Sequence, residues 1–372
     1  MDYQKQNKIY FNPVKVIKTK NWTKEIKKIL GDQEENTPLI ITSKGNYQRI
    51  EIKKKFPSSP IINDVPPNPT IEYCDQKLNN LKDAKVNSII AIGGGSVMDA
   101  AKVFIAALNM NNKSTLELIK HKGEIGNNII SIFIPTTHGT GSEVTMWGTI
   151  WDMKNKIKYS ISHQDLYPNY ALLDYNLTKS LPEDLSIITT MDALSHSLES
   201  IWNVNRNDIS TSYAIEAIAL IIKHYNSYIN KSSSNYSRET LLYASTLAGL
   251  AFSNTKTAVA HSISYPLTME YNMPHGIASS ITLIPILILS EKEIRNELNK
   301  LYTKLGINTL EEFISQIKSI YNEKLNYRLR DWGVDKKDLS SLVKKCYTKD
   351  RIENYIVNIN EDNMLEILQE IY

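Results

Sequence analysis

Cysteine is scarce in this chain. The 372 residues include two, Cys74 and Cys346, and nothing pairs them or places either near the candidate metal ligands. A disulfide framework is therefore excluded as the organising device, and a reducing, cytoplasmic compartment is the expectation. Long apolar runs are lacking as well. The longest, around Ile277 to Leu289, is interrupted by Ser279, Ser280, Thr282 and Pro285; it falls short of a bilayer span and reads as a buried core helix. The opening MDYQKQNKIYF has neither the apolar core nor the small-residue cleavage site of a secretory signal. Charge of one sign is missing too: the net charge is +3, and the lysines are scattered without a basic block or interleaved aromatics, which argues against nucleic-acid binding. What is present is 42% hydrophobic against 22% charged residues, enough to bury a core and stay in water. The length suits two domains.

The first half alternates strand and helix patterns. KIYFNPVKVI predicts an opening strand and TKEIKKILGD a short helix closed by Gly31. TPLIITSKG and SPIIND are apolar runs with the character of buried parallel strands. After the stiff VPPNPT turn comes a helix from about Ile71 to Lys85. Then VNSIIAIGGGSVMDAAKVFIAAL gives a strand over Ser88 to Ile92 and a helix over Val97 to Leu108, and NIISIFIP another strand. GTIWDMKNKIKYSIS reads as a hairpin turning at Met153 to Lys156, and YPNYALLDYNL as a last strand ending at Asp174. Such alternation predicts an α/β fold with a covered parallel sheet. From about Pro182 the apolar spacing becomes three and four, in SYAIEAIALIIKHY, ETLLYASTLAGLAF, LEEFISQIKSIY and NMLEILQEIY, with NKSSSNYSRE as a loop. The expectation is an α/β domain over 1–181 and a helical domain over 182–372.

Two constellations carry chemistry. An aspartate and a histidine four residues apart share a helix face, and Asp192 and His196 stand so in DALSH. AHSISYPLTMEYNMPHG adds His261 and His275, each near a proline that interrupts or ends a helix. One carboxylate and three imidazoles without thiolate suit Fe(II) or Zn(II), with room left for a substrate oxygen. A lone D-x-x-x-H, by contrast, is more often a surface pair. In the first half, Gly93-Gly94-Gly95-Ser96 sits where a buried strand becomes a helix, a place where backbone N–H groups can receive a pyrophosphate. The spacing is not G-x-G-x-x-G. Ser96 and Asp99 also form an S-x-x-D pair that can simply cap the helix. Thr136-Thr137-His138-Gly139-Thr140-Gly141-Ser142-Glu143 follows the next strand, either as a wall against a cofactor or as an ordinary polar loop. With the glycine turn in one half and the metal candidates in the other, the active site is expected between the domains.

Taken together, GGGSVMDAAK, PTTHGTGSE, the DALSH helix and the H-x13-H pair ending in PHG resemble the iron-containing, or group III, alcohol dehydrogenases. The likeness covers nearly the whole chain, including the NPT turn at Asn68 and YALLDYNLTKSLP. It implies a Rossmann-like N-terminal domain followed by an all-α C-terminal domain, similar also to dehydroquinate synthase and glycerol dehydrogenase. It implies that Asp192, His196, His261 and His275 ligate the metal, that Gly93, Gly94, Gly95, Ser96 and Asp99 form the pyrophosphate turn, and that Thr136, Thr137 and Ser142 form the second cofactor wall. It also implies a homo-oligomer, commonly a dimer.

Three departures stand out. Tyr265 occupies the position of a family histidine often assigned to proton relay, and it is the candidate catalytic residue here. Ser43, followed by Lys44, stands where NAD-using members often carry an acid on the ribose, so NADPH is admitted beside NADH. His138 replaces a small residue of the wall. GTIWDMKNKIKYS, SHSLESIWNVNRNDIS and HSISYPLT resemble the phosphonate-associated branch, whose members look like phosphonoacetaldehyde reductases. A phosphonate needs cations, and Arg206, Lys158 and His163 are the candidates. The expected reaction is metal-dependent reduction of phosphonoacetaldehyde to 2-hydroxyethylphosphonate with NAD(P)H. The alternatives are a general short-chain alcohol, aldehyde or diol dehydrogenase and a dehydroquinate-synthase-like lyase.

Overall fold

The computed structural model describes residues 9–31, 37–81, 85–111, 113–155, 157–229, 235–321 and 326–372. The chain forms two compact units. One runs over Asn12–Leu181; the other joins Pro182–Tyr372 to the start of the chain through Phe11. Residues 9–11, expected within a first domain over 1–181, thus belong with the helical unit. Tyr10 donates its hydroxyl to the Leu250 carbonyl at 3.2 Å, and the Asn254 side chain brackets Phe11 by accepting from its N–H and donating to its carbonyl.

In the α/β unit, β1 (Lys15–Lys18), β2 (Leu39–Thr42), β3 (Ile61–Ile62), β4 (Ser88–Gly93), β5 (Ile130–Pro135) and β8 (Tyr170–Leu173) form one parallel sheet, ordered β1-β8-β5-β4-β2-β3. Among the described residues the strand read over KIYFNPVKVI is confined to Lys15–Lys18, which pairs with β8. Strands β6 (Trp147–Asp152) and β7 (Ile157–Ser162) make the separate antiparallel hairpin; Lys156, in its expected turn, lies outside the described residues. Helices α1 (Trp22–Leu30), α2 (Lys44–Arg49), α3 (Ile52–Lys55), α4 (Ile71–Asn79), α5 (Gly95–Asn109) and α6 (Thr115–Lys120) complete the unit.

Successive strand residues point to opposite faces, and both faces are covered. Leu39, Ile41, Ile89, Ala91 and Phe133 pack with α4 and α5, whereas Ile40, Ile90, Ile92, Ile132 and Ile134 pack with Trp22, Ile26 and Phe56. This is why the strands read as unbroken apolar runs.

The helical unit contains α7 (Glu183–Ile201), α8 (Asp208–Ile229), α9 (Asn235–Thr255), α10 (Val259–Tyr271), α11 (His275–Ser280), α12 (Leu283–Ser290), α13 (Arg295–Leu305), α14 (Leu310–Ile320), α15 (Leu339–Cys346), α16 (Lys349–Ile352) and α17 (Glu361–Glu370). Of the loop expected over NKSSSNYSRE, residues 235–239 belong to α9, which begins at Asn235, and residues 230–234 lie outside the described set. The apolar stretch from Ile277 to Leu289 is two helices, α11 and α12, divided at Ile281 and Thr282. Pro266 does not end its helix but sits inside α10, which closes at Asn272 in a left-handed conformation (φ 52°). Among the described residues no helix is long and apolar enough to cross a membrane.

Candidate metal centre and dinucleotide turn

Asp192 and His196 lie one turn apart on α7, whose last fourteen residues are almost all buried. His261 comes from the first turn of α10, and His275 opens α11 behind Pro274. Close packing brings these helices together: a Cβ at Gly276 would stand 2.0 Å from the Ile188 carbonyl oxygen of α7, so only glycine admits this approach. Ser195 and Ser279 add polar ties, with Ser195 Oγ donating to the Ser279 carbonyl at 2.8 Å and Ser279 Oγ donating to Asp192 Oδ1 at 3.1 Å.

Three of the four side chains form one cluster, and His196 approaches it from the other oxygen of Asp192. Asp192 Oδ1 lies 3.8 Å from His261 Nε2 and 3.9 Å from His275 Nε2, and Asp192 Oδ2 lies 3.9 Å from His196 Nδ1. Asp192, His261 and His275 offer ligand atoms all within 4.8 Å of one another. These separations are too long for hydrogen bonds. His196 Nδ1 is buried with no hydrogen-bond partner among the described residues, although its ring is held between Phe252 and His261, at 4.1 and 4.8 Å between ring centres. Burial would raise the Asp192 carboxyl, but the imidazoles of His196, His275 and His261, with the Ser279 donor, hold it below its ordinary value of 3.8. An ionised carboxylate among imidazoles that it does not hydrogen-bond is the donor set a borderline divalent cation requires. His275 is about a third exposed while the other three are buried, which leaves one side of the cluster open.

Sequence reasoning missed Glu199. It is fully buried on α7, three residues after His196, and its Oε2 accepts from His261 Nδ1 at 2.7 Å and from the Ala258 N–H at 2.9 Å. Its Oε1 accepts from the His261 N–H at 3.1 Å. Burial pushes its carboxyl up to about 7, against the pull of those backbone donors and of His196. One side chain thus caps α10, whose own N-cap residue Ala258 contributes no side-chain bond, and directs His261 Nε2 toward Asp192 by engaging Nδ1. The available signal was a carboxylate on a helix turn otherwise made of small and apolar residues.

In the α/β unit, Gly93 ends β4, and Gly94 caps α5 without a side-chain bond. The S-x-x-D cap is not formed. Ser96 Oγ instead accepts from the N–H of Asn68, itself left-handed at φ 54°, and Asp99 Oδ1 accepts from Ser142 Oγ at 3.2 Å. A Cβ at Gly95 would come within 2.7 Å of the Thr140 methyl, so the glycine turn and the Thr136–Ser142 loop fit closely. Thr136 donates its N–H to the Gly93 carbonyl and accepts at Oγ1 from Asn46; Thr137 faces Gly94; His138 is fully buried.

Beneath this loop lies Lys102, with no exposed surface, whose ammonium donates to the Ser142 carbonyl and hydroxyl at 2.9 Å, to Thr145 Oγ1 at 3.0 Å and to the Trp147 carbonyl at 2.7 Å. Burial lowers it to about 8, opposed by Asp99 and Glu143. Ser43 Oγ caps α2 by accepting from the Asn46 N–H, and Arg49 donates to Asn46 Oδ1 with its guanidinium folded over Gly45.

Tyr265, one turn beyond His261, is half-buried. Burial pushes its phenol up to about 12, with Arg351 pulling down and Glu199 pushing up. The three expected anion-binding cations are not assembled as a group within either unit. Arg206 belongs to the helical unit and is committed there, with Nε donating to Glu297 Oε1 at 3.1 Å and further bonds to the Asn203 and Glu293 carbonyls. Lys158 and His163 belong to the α/β unit. The Lys158 ammonium stands 5.4 Å from the Trp151 ring centre, and His163 Nδ1 accepts from the Asp165 N–H in a turn.

A glycine turn on a parallel sheet and a carboxylate–imidazole cluster in a helical unit are the parts of a metal-dependent, dinucleotide-linked oxidoreductase. Residues 13–175 match the profile of iron-containing alcohol dehydrogenases, and residues 186–372 that of the C-terminal part of the Fe-containing alcohol dehydrogenase family. The chain is 26% identical to the long-chain primary alcohol dehydrogenase AdhA of Thermoanaerobacter ethanolicus, over 99% of this chain and 98% of that one. It is 29% identical to the NADPH-dependent butanol dehydrogenase of Clostridium saccharobutylicum, over 76% and 75% of the two chains. Among solved structures it resembles the sulfoacetaldehyde reductase of Bifidobacterium kashiwanohense in complex with NAD+, with a TM-score of 0.90, 25% identity and 98% of each chain covered. The chain belongs to the iron-containing alcohol dehydrogenase family, oxidoreductases that act on alcohols and aldehydes with iron and NAD(P)H.

Proposed function

We propose that this chain reduces a short aldehyde bearing an oxyanion, phosphonoacetaldehyde to 2-hydroxyethylphosphonate, using NADPH or NADH. The observation that carries the reaction class is the convergence of His196, His261 and His275 on the two oxygens of Asp192. In this reading those four residues hold the ion, and Glu199 fixes the tautomer of His261. When bound, iron supplies Lewis-acid polarisation of the carbonyl oxygen and the nicotinamide supplies hydride. The backbone N–H groups of Gly94, Gly95 and Ser96 receive the pyrophosphate, helped by the start of α5. Asp99 and Lys102 hold Ser142, and with it the loop carrying Thr136 and Thr137, against the dinucleotide. Ser43 and Lys44 put no carboxylate at the ribose, and the Arg49 guanidinium folds back over Gly45, so a 2′-phosphate meets cations and no repulsion. Tyr265 keeps its proton at neutral pH and donates it toward the product oxygen, to be replaced from water.

The substrate reading is supported by the full-length likeness to a reductase of sulfoacetaldehyde. A second reading, an uncharged short alcohol or aldehyde, is favoured by the pairing of Arg206 with Glu297. Rates of NADPH loss with phosphonoacetaldehyde, sulfoacetaldehyde and butyraldehyde separate the two. The oxyanion reading predicts kcat/KM at least about tenfold higher for an anionic aldehyde, the worth of one charge-assisted contact. Equal values would leave the uncharged reading standing.

A further inference from the structure

Among the described residues, Arg351 is a guanidinium without an anion. It lies on α16, which packs on α10, and its carbon Cζ stands 4.5 Å from the centre of the Tyr265 ring. Its Nε is buried and makes no hydrogen bond, and no carboxylate lies within ion-pair reach among the described residues. Arg206, by contrast, already has its carboxylate. Buried polar nitrogens ordinarily find a partner, and a planar guanidinium fits two oxygens of a phosphonate or sulfonate better than any other side chain does.

Its placement is built. Ser262, next to the metal-cluster residue His261, donates its hydroxyl to the Cys346 carbonyl and accepts from the Thr348 N–H at 2.9 Å. These bonds fix the segment leading into α16 against the first turn of α10. Tyr265 then supplies a flat platform one helical turn, about 5.4 Å, along α10 from His261. In a two-carbon aldehyde with an oxyanion the carbonyl carbon and the phosphorus or sulfur are two bonds apart, so the groups that meet the two ends must lie within about one such turn. The other charged group acting on Tyr265 is Glu199, whose oxygens are occupied by His261 and the start of α10.

The geometry points to Arg351, presented by Tyr265, as the residue that binds the oxyanion of the substrate. This rests on the oxyanion-aldehyde reading above and assigns its recognition to a residue outside the cations the sequence offers. The test uses the iron-loaded protein with NADPH and two unreactive probes, ethylphosphonate and ethanesulfonate, measured as competitive inhibitors and by equilibrium calorimetry. In Arg351→Met both probes should weaken about 10- to 100-fold, and the kcat/KM ratio of anionic aldehyde to butyraldehyde should fall by a similar factor. Arg351→Lys, which keeps the charge but loses the fork, should lie between; if the Met variant is not folded, a loss of at least several-fold in the Lys variant decides the matter. Which of phosphonate and sulfonate binds more tightly to the unmodified protein identifies the head group. Unchanged probe affinity in the variants, with the anion preference intact, overturns the role of Arg351 and leaves the substrate reading in place. An unmodified protein that binds neither probe and prefers butyraldehyde overturns both.

Discussion

A carboxylate accepting from His261 Nδ1 decides which imidazole nitrogen is left for a metal, and Glu199 does this from full burial. Outer partners of this kind are worth 10- to 100-fold in metal affinity. Glu199→Gln should therefore weaken zinc or iron binding by about that factor in a titration against a chelator, and unchanged affinity would contradict the orienting role. Asp99 offers a second residue-scale prediction. Burial raises it from 3.8 to about 6, against the pull of Lys102 and the Thr149 N–H. Between those values the folded chain holds a proton that the unfolded chain has released. Its contribution to stability is full below 3.8 and is lost as pH rises through about 6. Denaturant unfolding should show the stability of the unmodified protein falling relative to Asp99→Asn across that window; a flat difference would contradict it.

Among the elements, the contact of α11 with α7 sets the proposed metal cluster, and Gly276 sets the contact. Ala at this position drives a methyl into the backbone at Ile188, which cannot yield as a side chain would. Overpacking of this kind costs about 1–3 kcal/mol and pushes His275 away from Asp192. Gly276→Ala should melt earlier and gain less stability from added metal than the unmodified protein does. The clasp under the Thr136–Ser142 loop is the counterpart in the α/β unit. Lys102→Met leaves Asp99 and the Ser142 and Trp147 carbonyls without their cation. Breaking such a buried network costs about 3–5 kcal/mol. NADPH affinity, followed by fluorescence titration, should fall, while iron binding in the helical unit persists.

At the scale of the whole molecule, what the sequence made legible is what local spacing encodes. Two-sided burial marked the parallel strands, and the four-residue step from Asp192 to His196 marked a shared helix face. What it hid is pairing between distant parts. Nothing local to Lys15–Lys18 says that β1 lies beside β8, and nothing near Arg206 says that Glu297 neutralises it. Glu199 finds His261 sixty-two residues away, and Arg351 meets Tyr265 where α16 packs on α10 and Ser262 binds the segment before it. Polar residues that serve one another through the interior leave no periodic trace, so they surface only when the helices are packed.

The central claim is that Asp192, His196, His261 and His275 together hold one divalent ion. Its most direct test is metal analysis of protein purified and loaded with Fe(II) under anaerobic conditions, comparing the unmodified chain with His261→Ala and Asp192→Ala. One ion per chain in the former, and a small fraction of that in folded variants, is the predicted result. Full metal content retained by either folded variant would contradict it.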